Sequence, residues 1–376
     1  MWWFLVLLAV GLLPATPAAR TPPPGACDPV RELSFASPPP FTTQSASFRA
    51  GDGVTLGGCL YRPKGMARFP VLVMVTGSGD VPSAADVYSV IHAKAFAAKG
   101  IGVFAFNKRG VGDSGGVATG TDFKQRGDDV AAALRFVRAL PTTTRVAVWG
   151  VSQAGWVIPQ ALRRNDGVAF AILVSPAGVN PHDQMAFFIR NLALRLGCTQ
   201  EQAAKAERLH RVVVRYYGTG EGYAAAQSLV DGYKSEPWFE RFRTNGEWSE
   251  RIGPGGRLLT PAELARMWKE HPDDFAFYRA PSVFADYRAI YEALDRPVLI
   301  VHGSADSLVP VAESQAAFAA AFAKNGNRAA EFKVFDGAEH GVQDGPQVRP
   351  AYLDFITTWA SEKFGVEGLR PRQKTR

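Results

Sequence analysis

Cysteine is scarce in this chain, and long apolar runs are scarcer. Three cysteines in 376 residues exclude a small domain held together by disulfides. No Cys/His cluster has metal-ligand spacing, so no metal is expected. The one strong apolar run, Trp2 to Leu13, holds about 12 residues, and spanning a bilayer takes about 20. No glycine-rich segment has P-loop spacing, and no dinucleotide fingerprint opens a helix after the first buried strand. No cofactor is therefore expected. No internal repeat is visible. Charge of one sign is also in short supply. The net charge is +7, but Arg370, Arg372, Lys374 and Arg376 sit at the very end, leaving about +3 on the body. That balance argues against a nucleic-acid surface. What is present, 47% apolar and 11% aromatic residues, is the composition of a folded globular protein.

The apolar run is followed by Pro14 and the small residues Ala15-Thr16-Pro17-Ala18-Ala19. This fits a secretory signal over 1–19, although its n-region has no Lys or Arg. Export to a periplasmic or secreted address is the expectation, with no membrane span after cleavage. An oxidising compartment allows one disulfide among Cys27, Cys59 and Cys198. A Cys27–Cys59 bridge would pin the leader to an early strand, but spacing does not decide the pairing, and buried free thiols are the competing reading.

Residues 20–43, with Pro22-Pro23-Pro24 and Pro38-Pro39-Pro40, read as an extended leader outside the core. Ser47 to Ala50 and Val54 to Tyr61 then form a hairpin around Gly51-Asp52-Gly53. After a break, strands resume at Pro297 to Val301 and Phe332 to Phe335; before it, buried strands lie at Val71 to Val75, Gly102 to Phe106, Arg145 to Trp149 and Ala169 to Val174. They are apolar on both faces and alternate with helices, the pattern of a parallel sheet covered on both sides. The rhythm breaks between 180 and 293. There, Thr199-Gln200-Glu201-Gln202 and Thr260-Pro261-Ala262-Glu263 are capping boxes of a helical insertion. Its many aromatics, Trp238, Phe239, Trp248 and Phe275 among them, read mainly as the insertion's own core. Some could line an apolar pocket above the strands' carboxyl ends, where ligands bind in such sheets.

The segment Val148-Trp149-Gly150-Val151-Ser152-Gln153-Ala154-Gly155 runs strand, sharp turn, helix. A serine at such a turn is lifted above the sheet edge in a strained conformation, and its second neighbours on each side must be small. Gly150 and Ala154 meet that demand, so Ser152 is the candidate nucleophile. The N–H of Gln153 would face a developing oxyanion.

With these residues in view, the chain resembles the α/β-hydrolases, close to bacterial esterases and serine aminopeptidase-like hydrolases. The resemblance covers about 45–175 and 295–365. It rests on Gly150-Val151-Ser152-Gln153-Ala154-Gly155-Trp156 followed by Pro159, with Ala154 where Gly is usual. It implies a mostly parallel eight-stranded sheet and a triad in the chain order Ser, acid, His. Of six histidines only His340 follows the last strand, in Phe335-Asp336-Gly337-Ala338-Glu339-His340-Gly341, so His340 is the candidate base. Asp306, in the loop after Val298 to Val301, is the candidate acid. His302 reads as a packed strand-end residue. The second oxyanion donor should lie in Thr76-Gly77-Ser78-Gly79, at the N–H of Ser78 or of Gly79. In Asn107-Lys108-Arg109-Gly110-Val111-Gly112-Asp113-Ser114, Asn107 stands where the family commonly has Asp, and Arg109 reads as ordering that loop.

The expected organisation is a catalytic domain over 44–179 and 294–366, a helical cap over 180–293 and a basic tail over 367–376. The expected function is hydrolysis of a carboxylic ester by a Ser-His-Asp triad, on a small-molecule acyl substrate. The sequence leaves the oligomeric state open. An exported aminopeptidase or dipeptidyl-peptidase is the alternative, with Glu201, Glu240 or Asp286 as unranked anchors for a substrate amino group. A thioesterase and a non-catalytic binding protein follow in that order.

Overall fold

The computed structural model describes residues 25–31, 37–84, 86–118, 122–163, 167–244 and 251–366. The signal-like run, the basic tail and Trp248 lie outside the described residues. Eight strands make one sheet: β1 (Phe41–Arg49), β2 (Thr55–Pro63), β3 (Phe69–Val75), β4 (Gly102–Phe106), β5 (Thr143–Val151), β6 (Val168–Val174), β7 (Val298–Gly303) and β8 (Ala330–Phe335). Their spatial order is β1-β2-β4-β3-β5-β6-β7-β8. The first two strands pair antiparallel, β2 pairs antiparallel with β4, and the rest of the sheet is parallel. This is the mostly parallel α/β-hydrolase sheet that the alternating strand–helix rhythm implies.

The helices cover the sheet because its central strands are apolar on both faces. On one face lie α1 (Asp28–Arg31) and α2 (Val87–Ala98); on the other lie α3 (Phe123–Ala139) and α4 (Ala154–Leu162). The insertion between β6 and β7 holds α5 (Pro181–Arg195), α6 (Gln200–Thr219), α7 (Tyr223–Tyr233), α8 (Pro237–Arg243), α9 (Pro261–Glu270), α10 (Ala276–Arg279) and α11 (Arg288–Tyr291). Both capping boxes form, at the starts of α6 and α9. Beyond the insertion, α12 (Val311–Asn325) and α13 (Pro350–Phe364) complete the two layers.

The insertion has its own apolar core, which buries Trp238, Phe239, Phe242, Phe275 and Tyr278. Tyr287 and Tyr291 instead pack into the core beneath the sheet. One end of the leader behaves differently from the sequence reading. Ala26, Cys27 and Val30 are buried against the sheet, and Cys27 is bridged to Cys59 of β2. The disulfide does what apolar periodicity could not, tying residues 25–31 to the core. Cys198 is a buried thiol of the insertion. β1 also begins at Phe41, earlier than Ser47, because its solvent face is polar (Thr42, Gln44) and its alternation is weak.

Candidate active site

Ser152 occupies the turn between β5 and α4 with φ of 56°, a left-handed conformation that costs an ordinary residue about 1–2 kcal/mol. Its surroundings over-determine it. A Cβ at Gly150 would fall 2.6 Å from the Ala154 Cβ and 2.5 Å from Ile158 Cδ1. A Cβ at Gly155 would fall 2.7 Å from Pro176 Cβ. The Ser152 N–H donates to the Val174 carbonyl at the end of β6 at 2.8 Å, and the Gly155 N–H donates back to the Ser152 carbonyl at 2.9 Å. The free N–H groups of the first turn of α4 face this bend. Gly77, after β3, packs directly onto the serine: a Cβ there would lie 3.1 Å from Ser152 Cβ.

Asp306 and His340 meet. The His340 Nδ1–H donates to Asp306 Oδ2 at 2.8 Å, the carboxyl being buried and the ring partly exposed. The other carboxylate oxygen, Oδ1, accepts the N–H groups of Leu308 at 2.9 Å and Val309 at 3.0 Å. Burial pushes the Asp306 pKa up. The charge of His340, its hydrogen bond and the two backbone donors outweigh that, holding the carboxyl below its ordinary value. A carboxylate only accepts, so the neutral His340 carries its proton on Nδ1 and presents Nε2 as a base.

The loop carrying His340 is clamped on several sides. The Ala305 N–H donates to the Ala338 carbonyl at 2.9 Å, the Gly341 N–H to Ser175 Oγ at 3.0 Å, and the Tyr88 hydroxyl to the Gly341 carbonyl at 2.9 Å. Val174 and Ser175 are neighbours, so the end of β6 supports both the serine turn and the histidine loop. Among the described residues, three that are not glycine have positive φ: Ser152, Ser175 and Val342. All three belong to this constellation. Backbone strain concentrates where function demands a fixed geometry.

The remaining sequence candidates fall beside the serine. Gln153 caps α4, and its side-chain Oε1 accepts from the buried Arg126 of α3. Ser78 and Gly79 are exposed in the loop after β3. Two residues that the sequence reading gave no role hold this loop. Arg126 donates to the Thr76 carbonyl at 3.0 Å; Lys108 Nζ donates to the Gly77 carbonyl at 2.7 Å and to that of Gly79. Neither has a sequence signal, because the loop groups they hold are backbone carbonyls.

Arg109 does order its loop, bridging Asp52 at 2.6 Å and Asp129 at 2.6 Å. Asn107 accepts the Ala84 N–H at 3.1 Å and donates to Asp113 at 2.9 Å, a double role an ionised Asp could not fill. His302 packs at the end of β7 with Nε2 against the Pro176 carbonyl at 3.1 Å. The three carboxylates considered as amine anchors are each in an ion pair: Glu201 with Lys205, Glu240 with Arg243, Asp286 with Arg288. Among the described residues, no group of three or more His, Cys, Asp and Glu could hold a metal ion, and no helix is long and apolar enough to cross a membrane.

Residues 52–330 match the family described as X-Pro dipeptidyl-peptidase (S15 family), a span that includes Ser152 and Asp306 and stops before His340. No curated protein matches the chain. Among solved structures, it is similar to the α/β hydrolase GrgF from Penicillium sp. sh18, at 18% identity over 86% of this chain and 99% of that one, with a TM-score of 0.53. It is also similar to a proline iminopeptidase from Mycobacterium smegmatis, at 15% identity over 86% and 100% of the two chains, with a TM-score of 0.52. A Pyrococcus furiosus esterase, Pf2001, aligns at 16% identity over 86% and 93%, with a TM-score of 0.50. At these identities the likeness is one of fold.

Proposed function

The chain belongs to the X-Pro dipeptidyl-peptidase (S15) family of α/β-hydrolases, and from that premise we propose that it is a serine hydrolase with Ser152, His340 and Asp306 as its triad. The observation that carries the reading is the hydrogen bond of His340 to the buried Asp306 at 2.8 Å, with His340 on a loop braced by the same strand end that supports the strained Ser152 turn. His340 Nε2 takes the Ser152 proton as Oγ attacks an acyl carbonyl. Asp306 holds the ring in the required tautomer and stabilises its charged form. The N–H groups of Gln153 and of Ser78, or of Gly79, receive the oxyanion, each worth about 3–4 kcal/mol in comparable sites. His340 then gives its proton to the leaving group. Water clears the acyl-enzyme by the same route in reverse.

A carboxylic ester with an apolar acyl part is the preferred substrate. The pairing of Glu201, Glu240 and Asp286 with neighbouring cations leaves those three carboxylates committed, which weakens their case as anchors for a peptide's amino group. The second reading, release of an X-Pro dipeptide, is favoured by the family match itself. The Cys27–Cys59 disulfide supports an exported, periplasmic or secreted enzyme, and the helical insertion is proposed as its cap. Initial rates on p-nitrophenyl esters of rising chain length, beside X-Pro-p-nitroanilides, test the choice. Ester turnover well above anilide turnover is expected. Efficient release of nitroaniline with little ester preference would move the assignment to the peptidase.

A further inference from the structure

The loop that must offer oxyanion donors, Thr76-Gly77-Ser78-Gly79, is a poor candidate for rigidity. Two of its four residues are glycines, Ser78 and Gly79 are exposed, and Gly79 has φ of 87°. An oxyanion hole works only if its donors already point at the place where charge develops. Something outside the loop has to set their direction.

We propose that Lys108 is a positioning residue that sets the Ser78 N–H, one of the two candidate oxyanion donors, by holding the carbonyl of the same peptide unit, with Arg126 bracing the preceding peptide of the loop. The inference rests on the serine-hydrolase reading above. A trans peptide is planar, and its C=O and N–H point in opposite directions. Lys108 Nζ holds the Gly77 carbonyl at 2.7 Å, so the Ser78 N–H is aimed away from Lys108. Lys108 also holds the Gly79 carbonyl, which fixes the Asp80 N–H in the same manner. Arg126 holds the Thr76 carbonyl at 3.0 Å, which fixes the Gly77 N–H, on the residue packed against Ser152. With its other terminal nitrogen Arg126 donates to the Gln153 side chain. One guanidinium thus ties the loop after β3 to the residue whose N–H opens α4, and these are the two halves of the proposed hole.

The chemistry of the pair argues against a merely structural cation. Among the described residues, neither Lys108 nor Arg126 has a carboxylate within 4.0 Å, whereas their neighbour Arg109 has two. Arg126 is buried and Lys108 half-buried, so holding either charge away from direct contact with a carboxylate carries a desolvation cost. Burial first, then the charge of Arg126, draws the Lys108 pKa down to about 7, with Asp80 opposing. Burial draws Arg126 down to about 10, with Asp80 and Asp129 opposing.

The test compares Lys108→Met, Lys108→Arg and Arg126→Met with the wild-type enzyme on its best p-nitrophenyl ester. It adds the affinity of an aryl trifluoromethyl ketone, which becomes a tetrahedral oxyanion on the serine. Lys108→Met should lower kcat by about 10–100-fold, less than the 10²–10³ lost when an oxyanion donor is removed outright. KM should stay within about threefold, since only transition-state binding is lost. Ketone affinity should fall by the same factor as kcat/KM, and Lys108→Arg should recover most of both. Thermal unfolding separates this from misfolding, and if Lys108→Met does not fold, Lys108→Gln, which keeps donors without charge, carries the comparison. Wild-type kcat in folded Lys108→Met, or a fall in kcat with ketone affinity unchanged, would overturn the brace. A wild-type enzyme that neither turns over esters nor binds the ketone would instead bring down the serine-hydrolase reading beneath it.

Discussion

Gly303 lies so close to Ala338 that a Cβ on it would fall 2.1 Å from the Ala338 carbonyl oxygen. The same oxygen accepts the Ala305 N–H at 2.9 Å. The contact docks the loop of Asp306 onto the loop of His340, and the obstacle is backbone on both sides, so neither can yield cheaply. Gly303→Ala should cost about 1–3 kcal/mol of stability, the range for overpacking. It should also lower kcat at least tenfold by separating the two side chains, since small misplacements are expensive in a preorganised site. Urea unfolding and steady-state kinetics check both, and a variant wild-type in both would contradict the docking argument.

Asp306→Asn keeps the shape of the acid and removes its charge. The amide can donate to Nδ1, which favours the wrong imidazole tautomer, so kcat should fall by about 10⁴ with the fold intact. A loss below tenfold, at unchanged thermal stability, would show that Asp306 is not the residue orienting His340.

Acid should destabilise the protein well before carboxylates titrate. His92 is buried between α2 and α13, with Nδ1 on the Tyr88 carbonyl at 2.7 Å and Nε2 on the Tyr352 hydroxyl at 3.0 Å. Burial lowers its pKa to about 4, against the Tyr88 hydrogen bond, which raises it. Burial also lowers His182 and His302. Between about pH 6.5 and pH 4 the unfolded chain therefore binds more protons than the native one, and stability falls as pH drops through that window. His92 alone accounts for up to about 3 kcal/mol. Thermal midpoints across pH 4–7, compared between wild type and His92→Gln, measure this. A wild-type profile that is flat, or as steep in the variant, would contradict it.

The Cys27–Cys59 bridge closes a loop with a sequence separation of 32 residues. On chain-entropy grounds it contributes about 3–4 kcal/mol. Reduction, or the paired Cys27→Ser and Cys59→Ser substitutions, should lower the urea midpoint by a corresponding amount while leaving kcat near wild type, since neither residue touches the site. An unchanged midpoint would show that apolar packing of Ala26 and Val30 holds the leader unaided.

Much of the candidate site is legible in the sequence because each part has its own local demand. The Ser152 turn announces itself through Gly150 and Ala154, which are small because Ile158 and each other's neighbourhood leave no room. Asp306 follows the buried β7 and His340 the largely exposed edge strand β8, and the parallel pairing of the two carries both loops to the same end of the sheet. Lys108 and Arg126 carry no such signal, because the backbone carbonyls they hold leave no trace in residue identity. The leader's burial is hidden for a related reason: a disulfide substitutes for the apolar pattern from which core segments are read, and Cys27 has two possible partners. Arg109 was readable as structural only in outline, since Asp52 and Asp129 lie 57 and 20 residues away in sequence.

Covalent capture of the nucleophile reads the assignment most directly. The folded protein is treated with a fluorophosphonate, and the modified peptide is mapped by mass spectrometry. One phosphonyl group per chain is expected, on Ser152, with labelling abolished in Ser152→Ala and slowed by orders of magnitude in His340→Ala. Labelling that persists in Ser152→Ala, or an absence of labelling in an enzyme that still turns over its ester, would contradict a serine acyl-enzyme at this bend.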